Sequence, residues 1–99
     1  MDYSGLLVKK FTEKYILETA RDKMTFEFSE LRQGQMNVSQ YDQNFTQLSR
    51  YIDGLIKSEA EKTKKFVKGL KLKIRGKLIP LQLRSYLQAV EKALEVEMV

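Results

Sequence analysis

Apolar positions along this chain recur at spacings of three and four, the period of one helical face, and signals for strands are scarce. Leu7, Phe11 and Tyr15 are four apart and predict a first helix. Thr19-Ala20-Arg21-Asp22 reads as a capping box, in which a hydroxyl accepts from a backbone N–H and an acid three residues on reaches back. It predicts a second helix from about Ala20, burying Met24, Phe28 and Leu31 and stopped at Gly34, since glycine takes the left-handed conformation without strain. Asn37 is placed to cap the next helix. Val38, Tyr41, Phe45, Leu48, Ile52 and Leu55 then give the strongest periodicity in the chain, predicting a helix from about Val38 to Asp53 that ends at Gly54. Its other face, Gln40, Asp42, Gln43, Gln47 and Arg50, is polar.

Ser58-Glu59-Ala60-Glu61 is a further capping box and opens a helix to about Gly69, with Phe66, Val67 and Leu70 inward. A short helix over Leu72–Ile79 carries Ile74 and Leu78, and Pro80 blocks its continuation. Ser85-Tyr86-Leu87-Gln88 opens the last helix, with Leu87, Val90 and Leu94 on one side. The expectation is one all-α domain over residues 1–99, a compact bundle of five to six short helices.

Composition narrows the chemistry. The 99 residues include no cysteine, histidine or tryptophan, so no disulfide forms and the usual zinc and haem ligands are missing. A histidine general base and a cysteine nucleophile are excluded as well. The densest acidic cluster, Asp22, Glu27 and Glu30, fits helix-start and solvent roles better than catalysis, so no enzyme activity, metal or cofactor is expected. The longest apolar runs are too short to span a membrane, and the first residues lack the basic start and apolar stretch of a secretory signal. An intracellular, cytoplasmic protein is the expectation. A domain of this length buries roughly 60–70% of its unfolded surface, so contact with a partner subunit would add useful burial.

One segment is more specific. Leu31-Arg32-Gln33-Gly34, followed by Val38, Tyr41, Phe45 and Leu48, lies in the string LRQGQMNVSQYDQNFTQLSRY. That string resembles the Gag polyprotein of gypsy-type LTR retrotransposons, and is similar to a distant version of the major homology region of retroviral capsids. Downstream, Glu61-Lys62, Phe66-Val67-Lys68-Gly69-Leu70, Ile74-Arg75, Pro80-Leu81 and the stretch Ala89 to Glu97 follow the same order, and Phe11, Tyr15 and Glu27-Phe28 fit upstream. The resemblance covers about residues 8 to 97. It implies the C-terminal lobe of a capsid protein, a helical domain that self-associates in assembled particles. The zinc knuckle, protease and reverse transcriptase of such polyproteins are absent, and the segment before residue 8 is too short for an N-terminal capsid lobe, so a fragment or an isolated lobe is expected.

Physical reasoning makes the motif a structural staple. Gly34 lets the chain turn sharply, Gln33 has donors and an acceptor to tie that turn to nearby backbone, and Tyr41 and Phe45 anchor the following helix. The resemblance also implies a homodimer or higher oligomer. In retroviral relatives the two-fold contact uses apolar residues of the helix after the homology region, but here Lys62, Lys64, Lys65 and Lys68 crowd that helix. Like charges would then face each other across the axis. Leu7, Phe11 and Tyr15 of the first helix are therefore the main candidate contacts, with Phe66 and Val67 beside them.

The net charge of +5 is unevenly spread: Lys57 to Arg84 holds ten basic and two acidic residues, a local +8 against −3 elsewhere. Lys64, Lys65, Lys68, Lys71, Lys73 and Lys77 are candidate contacts to RNA, the alternative being a solvated face or an inter-subunit contact; with no aromatic interleaving beyond an inward Phe66 there is no sign of base stacking. No membrane or small-molecule partner is expected. Two further readings stand beside the assembly module: a Gag-derived host protein binding peptides or proteins through this lobe, and a basic helical nucleic-acid binder.

Overall fold

The computed structural model describes the backbone of residues 3–52 and 56–99, and the side chains of those residues except 3–9 and 11. In chain order the helices are α1 (Tyr3–Ser29), α2 (Val38–Arg50), α3 (Glu59–Gly69), α4 (Leu72–Leu78) and α5 (Tyr86–Glu97), with a 3-10 turn at Ile79–Leu81. The described residues form no strand, and the protein is all-α.

The two helices expected before Gly34 are one. No break occurs at Thr19, and α1 runs through it. A capping box works only where the backbone leaves helical geometry at the cap. Nothing between Gly5 and Ser29 forces that departure: the stretch has no proline or further glycine and is rich in helix formers. The 27 residues of α1 reach about 40 Å at 1.5 Å per residue. Among the described side chains of α1, those of the C-terminal turns meet the rest of the protein: Phe28 is fully buried, Met24 partly so, and Leu31 packs just beyond the helix. The remainder projects. This is why the radius of gyration is 18.2 Å, where about 13 Å suits a globule of this length.

The starts of α2, α3 and α5 use their local caps, while α4 has no side-chain cap of its own. The Asn37 side chain accepts from the Gln40 N–H at 2.8 Å, and the Gln40 side chain accepts from the Asn37 N–H at 3.2 Å, a complete capping box. Ser58 accepts from the Glu61 N–H at 3.2 Å, but Glu61 reaches Lys57 N at 3.1 Å instead of returning to Ser58. Ser85 accepts from the Gln88 N–H at 3.4 Å. α2 ends at Arg50, earlier than its pattern suggested, although Ile52 is still buried. The expected stop at Asp53 and Gly54, and Leu55, lie outside the described residues.

α5 packs against α2, α3 and α4, and its buried stripe differs from the expected one. Ala89, Val90 and Ala93 are buried with Tyr86 and Leu94 beside them, whereas Leu87 is exposed. The small alanines let three helices approach α5 closely, and this turns the helix so that Leu87 faces outward. The α2 start receives a long-range cap from the same element. The Glu97 carboxylate accepts from the Val38 N–H at 2.7 Å, placing a negative charge at the positive end of α2.

The centre of the core is aromatic. Phe28, Tyr41, Phe45, Phe66 and Tyr86 come from α1, α2, α3 and α5 and meet as stacked, tilted and edge-on pairs 4.8–6.0 Å apart. Gly69 exists for this packing: a methyl group there would overlap the Tyr41 hydroxyl and sit 3.1 Å from Leu31 O. Nothing local to Gly69 announces that need, since in sequence it reads only as a helix end.

Candidate functional site

The motif residues gather at the junction between two helix pairs. Gln33 is fully buried. Its backbone N–H donates to Gly69 O at 2.8 Å, and its carbonyl accepts from the Met36 N–H at 2.9 Å. The side-chain Nε2 donates to Met36 O, while Oε1 accepts from the Lys71 N–H, both at 2.9 Å. One residue thus bonds the α1–α2 turn to the α3–α4 junction 38 positions away. Gly34 follows with φ +56°, a left-handed conformation that a side chain would strain. Val38, Tyr41 and Phe45 are fully buried under this turn, with Leu31 and Leu48 packed at the edge of the core. Tyr41 Oη donates to Phe66 O at 3.0 Å.

A polar pair on the far side of the aromatic cluster was not foreseen. The Tyr86 hydroxyl donates to the Asp42 carboxylate, joining α5 to α2. Asp42 read as part of α2's polar face, and only the position of α5 reveals its partner. Thr63, also buried, donates to Glu59 O at 2.8 Å and to Arg84 O at 3.2 Å, fastening the segment before α5.

These surroundings set the proton affinities. Burial holds the Tyr41 phenol well above its usual value, with Arg32 opposing. Burial and the bond to Asp42 do the same for Tyr86. Lys65 moves down, through partial burial and then the nearby Arg32 and Lys68 charges. From about pH 10 unfolded tyrosines lose protons that the folded chain retains, so these groups' stabilisation is complete below that pH and declines above it. Lys65 acts in the opposite sense, since unfolded lysine binds its proton more tightly than the folded one. With two tyrosines against one partly exposed lysine, the melting temperature is expected to fall above about pH 10, and to fall less in Tyr86→Phe. Thermal melts by circular dichroism between pH 8 and pH 11 check both.

The six candidate lysines do not form one patch. Lys64 and Lys68 lie on the exposed side of α3, and Lys73 and Lys77 are exposed four apart on α4, with Lys71 just before it. Lys65 turns the other way: its ammonium is 4.9 Å from the Phe28 ring centre and donates to Ser29 O at 3.5 Å. Lys62, not among the six, sits 4.3 Å from the Tyr86 ring centre.

Lys64 and Lys68 instead edge an open groove of about 780 Å³ between α3 and the α4–3-10 segment. Val67, Leu78, Ile79 and Leu83 supply its apolar surface, and Arg75 and Arg84 complete a basic rim that contains no acid. Arg75 donates to Lys68 O at 3.3 Å across it. Among the described residues none of these four cations is in an ion pair. Sequence located the charge excess but not its pairing with apolar surface, because α3 and α4 meet only in the fold.

Of the candidate self-association residues, Phe66 is fully buried within the chain's own core, and Val67 is buried apart from the edge it contributes to the groove. Tyr15 is 62% exposed on α1. The side chains of Leu7 and Phe11 lie outside those described. Ile16, Leu17 and Phe26 are also exposed on the same helix.

Among the described residues no three acidic side chains gather to hold a metal ion, and no helix is long and apolar enough to cross a membrane. The architecture defines an all-α protein with a buried polar staple and a basic, apolar-floored groove. No family model, curated protein or solved structure matches the chain.

Proposed function

We propose that this chain is a structural self-association module, the capsid C-terminal lobe of a retrotransposon Gag protein, contributing contacts to an intracellular capsid-like particle. The observation that carries the reading is the staple at Leu31-Arg32-Gln33-Gly34. The segment with the most Gag-like sequence is also where one buried glutamine bonds two helix junctions together, with the aromatic pair Tyr41 and Phe45 beneath it. A rigid frame of this kind suits a subunit whose task is to hold surfaces at fixed angles.

Exposed apolar side chains on α1 add support. Tyr15, Ile16, Leu17 and Phe26 are exposed, and covering them in an assembly would be favourable at about 25 cal/mol per Å² removed from water. Sedimentation equilibrium from micromolar to millimolar concentration tests the reading. The average mass is expected to rise above that of one chain as concentration increases, and a strictly monomeric species at millimolar concentration would overturn it.

A further inference from the structure

Four cations converge on the groove between α3 and the α4–3-10 segment: Lys64 and Lys68 from α3, Arg75 from α4 and Arg84 from the chain before α5. Like charges gathered this way repel one another, and among the described residues no acidic side chain lines the groove to offset them. Lys64 and Lys68 stand on the exposed side of α3, about 6 Å apart along its axis.

The fold positions both arginines and leaves their charge available. Arg75 donates to Lys68 O at 3.3 Å, which occupies only one of the N–H donors of its guanidinium. Thr63 donates to Arg84 O at 3.2 Å and ties that residue's backbone to α3. Gln82, on the groove's edge, takes the left-handed turn at φ +49° that ends the 3-10 segment just ahead of Arg84.

The rest of the lining narrows the choice of ligand. Val67 and Leu78 are only 9% and 1% exposed, so Ile79, 57% exposed, and the partly buried Leu83 are the apolar surface a ligand meets. That is too little to anchor a peptide, whose affinity comes from large side chains seated in apolar pockets. Among the described residues no aromatic side chain lines the groove, so bases find nothing to stack on. Charge is what remains. A run of phosphates is the ligand that charge alone holds, through release of its condensed counterions. An open groove of about 780 Å³ has room for a few nucleotides of one strand, but not for the width of a duplex.

We propose that the α3–α4 groove binds the phosphodiester backbone of a single-stranded nucleic acid without regard to base sequence, with Lys64, Lys68, Arg75 and Arg84 as the phosphate contacts. The lysines act as point charges, and each arginine fork matches two phosphate oxygens. Lys65, which leans over Phe28, takes no part. Neither do Lys73 and Lys77, which lie two positions to either side of Arg75 and so on the opposite face of α4. The site does not rest on the self-association reading.

The test is binding of a short fluorescein-labelled oligouridine to the full chain, read by fluorescence anisotropy as salt rises from about 50 to 200 mM. The logarithm of the binding constant is expected to fall against the logarithm of salt with a slope of about −2.8, at −0.7 for each of four contacts. Lys64→Gln with Lys68→Gln removes two contacts, weakens binding at least about tenfold at the low-salt end and brings the slope to about −1.4. Lys73→Gln with Lys77→Gln removes the same charge outside the groove and should change affinity by less than about twofold. All four positions are exposed, and circular dichroism checks that helicity is retained.

Equal weakening by the two pairs would show attraction to net charge alone and overturn the groove as the site. Binding that salt leaves unchanged, or no binding at the low-salt end, would overturn it too. Tighter binding of a labelled oligoglutamate, lost in the Lys64→Gln, Lys68→Gln variant, would make the groove a dock for an acidic protein segment and the proposal wrong. The mass distribution by sedimentation tests the assembly reading separately from all of these outcomes.

Discussion

Phe45→Ala is expected to lower the unfolding free energy by about 3–5 kcal/mol, the usual cost of deleting a fully buried phenyl ring and leaving a cavity. Phe45 is fully buried and neighbours four other rings: Phe28 at 5.0 Å, Tyr41 at 6.0 Å, and Phe66 and Tyr86 at 5.5 Å each. These rings come from α1, α2, α3 and α5, so no single helix can shift to fill the space without disturbing the others. Domains of this size are stable by only about 5–15 kcal/mol, and the loss would leave a substantial unfolded fraction at modest urea concentration. Urea titration followed by circular dichroism measures it. Phe45→Leu retains most of the volume and should recover more than half of the loss. A change below about 1 kcal/mol in the alanine variant would show that the rings are not the joint that ties the four helices.

Gln33→Leu is the second large effect, at about 2–3 kcal/mol, from two hydrogen bonds to backbone worth roughly 1–1.5 kcal/mol each. Leucine fits the apolar surroundings but neither accepts from Lys71 N–H nor donates to Met36 O, so both groups lose their side-chain partner. Gln33→Glu separates polarity from hydrogen bonding. It keeps the size and an acceptor, but loses the donor toward Met36 and places a carboxylate in a fully buried position, so it should be no milder than leucine. A local readout distinguishes loss of the staple from general weakening. Amide hydrogen exchange at Lys71 should accelerate in both variants more than exchange within α2, because the Gln33 side chain is the partner that protects it. Equal acceleration throughout would mean that Gln33 acts only on global stability.

Helix starts were legible where their physics is local. The Asn37, Ser58 and Ser85 caps close within three residues, so the residues that form each cap stand side by side in the sequence. Buried faces were legible where the periodicity was strong, as at Val38, Tyr41 and Phe45, or at Ile74 and Leu78. The same reasoning failed at Thr19, because a capping pattern is permissive and cannot interrupt a helix whose residues all favour continuing. It failed at Leu87 too: two adjacent stripes of α5 were both apolar, and contact with three helices selected the one with alanines.

At the candidate sites the division is similar. Gln33 and Gly34 stood out by their place before an aromatic helix, but nothing near them names Lys71 as the partner. Asp42 with Tyr86, and Glu97 with Val38, are 44 and 59 residues apart, beyond any local signal. The lysine-rich stretch was visible as charge alone, yet the fold divides it. Lys65 leans over Phe28, while Lys64 and Lys68 join Arg75 and Arg84 around apolar surface.

By itself, then, the sequence determined the all-α class, most helix boundaries and four of the aromatic core positions (Phe28, Tyr41, Phe45 and Phe66, though not Tyr86), since these depend on backbone hydrogen bonding and side-chain period over a few residues. It also fixed the lack of cysteine and histidine chemistry, which is a matter of inventory. Only the tertiary structure decided that α1 projects as one rod, that Gln33 spans two junctions, and that cations and apolar side chains share a groove. Those features depend on where separate helices come to rest against one another, and that is set by the packing of the whole core.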